Sequence, residues 1–102
     1  MASMIVLYTK PDDVAGFEAH YREAHLPLVA AVPDVTGTTV TRITGTPRGP
    51  APYYLATEIR FGASETLSAA LRTEEMMAVS KDAMALCQRY GTEATILLGE
   101  DF

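Results

Sequence analysis

The chain has 102 residues, 48% of them hydrophobic and 21% charged, with a formal net charge of −5. That length allows one domain, residues 1–102, with a modest core. The acidic balance excludes an extended phosphate-binding surface, because the 8 Lys and Arg residues are scattered from Lys10 to Arg89.

Cys87 is the single cysteine, so no internal disulfide can form and a reducing compartment suits the chain. No apolar run approaches the ~20 residues that span a bilayer. Met4 to Leu7 is too short for the core of a signal peptide. The expectation is a cytoplasmic protein with no membrane and no nucleic-acid partner.

Ser3 to Thr9 is β-branched and apolar and stops at Lys10-Pro11, which predicts a strand. Ile5 and Leu7 fall on one face; Met4, Val6 and Tyr8 fall on the other. Two apolar faces place this strand inside a sheet covered on both sides. Asp12 or Asp13 can cap a helix from about Val14 to Ala24. Its apolar stripe is Val14, Phe17, Tyr21, His25, Leu28 and Val32. Pro27 lacks an N–H and clashes one turn back, so the helix is expected to bend or break there, with His25 at the discontinuity.

Val35 to Thr46 is threonine-rich and reads as an edge or half-exposed strand. Pro47 to Pro52 holds three prolines and forms a stiff loop. Tyr53 to Phe61 alternates: Leu55, Thr57, Ile59 and Phe61 share one face, and Ala56, Glu58 and Arg60 share the other. Ser64 can cap a short helix with Leu67, Ala70 and Leu71 buried. Thr73 opens another, with Met76, Ser80, Ala83, Met84 and Cys87 at helical spacing and Gly91 as its C-cap. Glu93 to Gly99 is a fourth strand.

The order is βαββαβ, the ferredoxin-like α+β arrangement: a four-stranded antiparallel sheet with helices on one face. The uncovered apolar face then calls for a second copy, two sheets face to face as a homodimer.

V-L-Y-T-K-P, F-E-A-H-Y-R-E-A-H-L-P-L, P-Y-Y-L-A-T-E-I-R-F and the closing I-L-L-G-E together resemble the EthD family of dimeric α+β barrel proteins. Tyr21 to Leu28 carries the most specific part, the pattern Y-R-x-x-H-x-P-L. His20 departs from it, standing where an aromatic residue is common. The resemblance implies a ferredoxin-like protomer, a homodimer whose facing sheets make a barrel, and a cavity for a small apolar ligand between sheet and helices. It implies no particular reaction, since similar folds serve isomerases, cyclases, cofactor-free monooxygenases and haem-handling proteins.

His25 and Tyr21 are the candidate catalytic residues. Imidazole can take and return a proton near neutral pH, and an apolar wall keeps it neutral. The alternative is a purely structural His25 that holds the Pro27 kink. Tyr21, one turn earlier, can orient the imidazole or donate to an oxyanion, or it simply packs. Tyr8, Tyr53, Tyr54, Leu28 and Met84 are candidate ligand contacts. Glu58 and Arg60 suit an interface ion pair, His20 a solvated flank, and Cys87 the core. His20 and His25 are five apart with no completing carboxylates, so no metal site is expected. Without a glycine-rich phosphate loop, no cofactor is expected either. Two functions stand side by side: a cofactor-free isomerase, cyclase or oxygenase with a His base, and a non-catalytic accessory or small-molecule (haem included) binder.

Overall fold

In a computed structural model describing all residues 1–102, β1 (Ala2–Tyr8) runs through the middle of the sheet. It pairs antiparallel with β3 (Leu55–Phe61) on one side and with β4 (Ala94–Glu100) on the other. β2 (Val35–Arg42) pairs with β3 and completes the order β2-β3-β1-β4. Met4, Val6 and Tyr8 of β1 and Leu55, Thr57, Ile59 and Phe61 of β3 are buried under the helices, as their alternation predicts. Ile5 and Leu7 lie half-buried on the opposite face.

The ferredoxin-like protomer is therefore present, but the barrel is not. The sheet is open, with β2 and β4 as free edges that do not pair with each other. Four strands are too few to curl through a full turn, which takes about eight strands with a matched tilt and stagger.

The helical run Val14–Ala30 also differs from expectation. It does not break at Pro27. α1 (Val14–His20) passes into a π-helical turn (Tyr21–His25) and then into α2 (Leu26–Ala30). The Leu26 N–H reaches five residues back to the Tyr21 carbonyl, and Pro27 occupies the first turn of α2, where a missing N–H costs little. The wider turn keeps residues four apart on one side. Phe17, Tyr21, His25 and Val29 are consequently all buried, whereas Leu28 is only half-buried.

α3 (Ser64–Ala70) buries Leu67 and Ala70. Ala63, not Ser64, is its N-cap; the Ser64 hydroxyl donates to Glu100 at 3.3 Å, and Leu71 is turned outward. α4 (Glu74–Tyr90) is capped by Thr73, whose hydroxyl accepts from the Met76 N–H at 3.2 Å. It ends at Gly91 in the left-handed conformation, φ 69°. Met76, Val79 and Leu86 form its buried face; Ser80 and Met84 are exposed.

Phe17, Phe61 and Leu86 are fully enclosed, each contributing about 1.5–3 kcal/mol by burial. α4 packs on α1, the π turn and α2 rather than on β4. That leaves the apolar centre of β4 (Ile96, Leu97 and Leu98) about half exposed on both faces. No helix is long and apolar enough to cross a membrane.

Candidate functional site

The inward side of the helical run carries one ring per turn. Phe17 stacks on Tyr21 (centroids 5.5 Å, 13°), and Tyr21 stacks on His25 (5.0 Å, 24°). Tyr8, from the central strand, stands edge-on to Phe17 at 5.4 Å and to Tyr21 at 5.6 Å. The Tyr21 hydroxyl hydrogen-bonds the buried Thr57 hydroxyl of β3, tying the helix to the sheet. These contacts fix the face of the imidazole.

Its edge is fixed by α4. His25 Nδ1 lies 2.8 Å from Asp82 Oδ2, and His20 Nε2 lies 2.9 Å from Asp82 Oδ1 and 3.1 Å from Oδ2. The five-residue separation of the two histidines is one π turn, so both rings reach one carboxylate. His20 is thus no solvated flank residue. It bonds Asp82, and its ring meets Tyr90 edge-on at 5.7 Å.

Burial lowers the pKa of His25 below its ordinary 6.5, against the opposing pull of the Asp82 carboxylate. Burial pushes Asp82 the other way, but hydrogen bonds from His20 and His25 outweigh it and hold the carboxyl below its usual value. Asp82 is therefore ionised and only accepts, which requires N–H on His25 Nδ1 and leaves the lone pair on Nε2. Nε2 makes no hydrogen bond, yet no buried side-chain nitrogen or oxygen lacks a partner. Nε2 accordingly meets open space.

His25 also borders a cavity of about 30 Å³, together with Tyr8, Tyr21, Thr57, Val79 and Ile96, among others. It holds roughly one or two waters. It lies at the seam where α4 stands away from β4. Burial raises the pKa of Tyr21 and of Tyr8, so both phenols stay protonated donors.

The other candidate contacts are dispersed. Tyr54 donates to Glu18 on the far side of α1, and Tyr53 lines a surface groove with Lys10 and the 43–54 loop. Leu28 packs at the core margin, and Met84 is 67% exposed on α4. Glu58 and Arg60 pair with each other within the chain at 3.0 Å. Cys87 is half-buried, and its thiol pKa is raised by burial. No group of three or more His, Cys, Asp or Glu side chains is arranged to hold a metal ion. Asp82 is the residue that sequence reasoning missed. An acid among exposed α4 positions carries no local signal, and only the oddly placed pair His20 and His25 hints at a shared partner.

Comparison with known proteins places the fold. The EthD domain matches residues 11–88. The crystal structure of an ethyl tert-butyl ether d (EthD) family protein from Bacillus halodurans C-125 has a TM-score of 0.90 at 36% identity, covering 100% of this chain and 99% of the other. HapK from Hahella chejuensis gives 0.67 at 22% identity, covering 100% of this chain and 93% of its own. SnoaB, a cofactor-independent oxygenase from Streptomyces nogalater, gives 0.70 at 14%, covering 99% and 92%. The last two likenesses are of fold alone. No protein of curated function matches the chain. The domain match and the full-length 36% identity, on a protomer with this sheet order, make the chain a member of the EthD family.

Proposed function

We propose that the chain binds an apolar, oxygenated small molecule at the cavity bordered by His25 and acts on it by proton transfer without a cofactor. One observation carries this reading: a buried imidazole that borders the cavity, with its Nδ1 held by Asp82 and its Nε2 free of any hydrogen bond. Nε2 takes a proton from carbon beside a carbonyl group, and the electron pair moves onto the carbonyl oxygen. The Asp82 carboxylate stabilises the imidazolium, which returns the proton at another atom of the same molecule, giving isomerisation or cyclisation. Tyr21 keeps the imidazole in place by stacking, and Tyr8 lines the space where an enolate oxygen would sit. Had the carbanion met O₂ instead, the outcome would be oxygenation, the activity named for SnoaB, which shares this fold.

The cavity must widen to hold such a molecule. The loose seam between α4 and β4 supplies the route, since the two elements share little packing. A widened cavity that holds its molecule without turning it over gives a second reading, a non-catalytic binder or accessory protein. The two are separated by whether a stabilising compound is recovered unchanged. His25→Ala should keep the fold and abolish turnover of an identified substrate; full retained turnover rejects the catalytic role.

We also infer a homodimer in which two open sheets stack by the faces away from the helices. Support comes from Ile5, Leu7 and Leu97 on that face, with Leu97 47% exposed. Leu97→Glu should shift the mass in solution from dimer to monomer; a monomeric parent chain rejects the inference.

A further inference from the structure

A second opening lies on the other side of Tyr21, between the helical run and strands β2 and β3. This cleft has a volume of about 260 Å³, close to the lower end of ligand-binding pockets, about 300 Å³. Val40 and Leu55 form its floor, and Phe17, Tyr21 and Leu26 its wall. Val40 is the telling residue. It pairs with Thr57, which is buried under the helices, so it lies on the same sheet face, yet it is 39% exposed. No side chain of this chain fills the space above it.

The polar rim carries a surplus of positive charge. Arg42 grips Glu18 with two hydrogen bonds, Nε to Oε2 at 3.0 Å and Nη2 to Oε1 at 2.7 Å. The Tyr54 hydroxyl donates to the same carboxylate, and Arg22 approaches it at only 3.4 Å. Glu18 is therefore ionised and committed, and two guanidiniums face one carboxylate. Arg22 is 65% exposed and holds donors to spare. Elsewhere the chain is acidic, at −5 overall, so this local surplus cannot be ascribed to a basic surface.

We propose that this cleft binds a small apolar monoanion, a ring carboxylate, with its body on Val40 and Leu26 and its charge on Arg22. An apolar floor with a fork of guanidinium donors at its edge is the complement of such a molecule. The site goes beyond the cavity at His25 and stands without it: the two openings share only the Tyr21 ring among their lining residues.

The test uses the full chain with labelled methyl groups, titrated with 2-naphthoate and with neutral 2-naphthol. The expected result is that naphthoate moves the Val40, Leu26 and Leu55 methyl signals and naphthol binds at least about threefold more weakly. Arg22→Gln, at an exposed position, should weaken naphthoate by about three- to tenfold; Val40→Trp should abolish it by filling the cleft. Equal binding of the two probes, or no effect of Arg22→Gln, overturns the proposal. So does naphthoate binding that moves only Val6, Val79 and Ile96 around the His25 cavity. That last result would leave the reading of His25 intact, whereas an active His25→Ala enzyme would leave the cleft intact.

Discussion

His25 Nδ1 and Asp82 Oδ2, 57 positions apart in the chain, meet at 2.8 Å. The contact joins the π turn to α4 and decides which imidazole nitrogen is free. Since Asp82 also accepts from His20, its loss unties two rings at once.

Asp82→Asn tests that joint directly. An amide is uncharged and keeps one acceptor oxygen of the two, so the bonds to both histidines lose the carboxylate's charge and its second acceptor. Denaturant unfolding should show a loss of about 1–2 kcal/mol. Turnover or ligand binding at the His25 cavity should fall with it, because the Nδ1–H tautomer is no longer enforced. An unchanged midpoint would mean that the pair contributes nothing to the fold.

Acid should weaken the protein in two stages. His25 has a folded pKa lowered from 6.5, so below about pH 6.5 the unfolded chain binds a proton that the folded chain refuses. Stability therefore falls as pH drops from 6.5 towards the folded value, and this loss is absent above 6.5. Asp82 is also lowered, from 3.8; its contribution is complete above that value and is lost as pH falls through the folded one. Glu18, lowered to about 2 from 4.5 chiefly by its hydrogen bond from Arg42, acts in the same late window. Urea midpoints between pH 5 and 8 should slope downward towards acid, and His25→Gln should flatten that slope.

Tyr21→Phe separates the hydroxyl from the ring. The stack on His25 survives, but the buried Thr57 hydroxyl loses its partner, a cost of about 1–3 kcal/mol. If the ring alone positions His25, turnover should fall by less than in Tyr21→Ala. Equal losses in the two variants would instead assign the role to the hydroxyl.

Gly91→Ala should cost about 1 kcal/mol or more, since φ is 69° there and a Cβ would run into the Asp12 carboxylate. Thermal unfolding measures it. No change in midpoint would mean that the α4 C-cap relaxes without strain.

Much of the scaffold was legible because period and caps are local signals. Strand alternation in β1 and β3, the Asp13 and Thr73 caps and the Gly91 stop all follow from residues next to one another. Three features were not. The π turn depends on how Pro27 is accommodated, so the sequence suggested a bend or break and the chain instead widened one turn, exchanging Leu28 for Val29 on the inner side. Met84 satisfies helical spacing with Met76 and Ser80, but α4 presents Val79 and Leu86 instead, which turns Met84 outward. Asp82 acquires its meaning only from His20 and His25, which folding brings to it. The expected barrel is not formed: β2 and β4 stay unpaired with each other and the sheet is open.

The most direct measurement is the protonation of His25 itself, read by ¹⁵N NMR of the imidazole rings across a pH titration. At pH 7 His25 should be neutral, with the proton on Nδ1 and Nε2 bare, and its midpoint should lie below 6.5. In Asp82→Asn the fixed tautomer should be lost. A ring already charged at pH 7, or one carrying its proton on Nε2, would contradict a base poised towards the cavity.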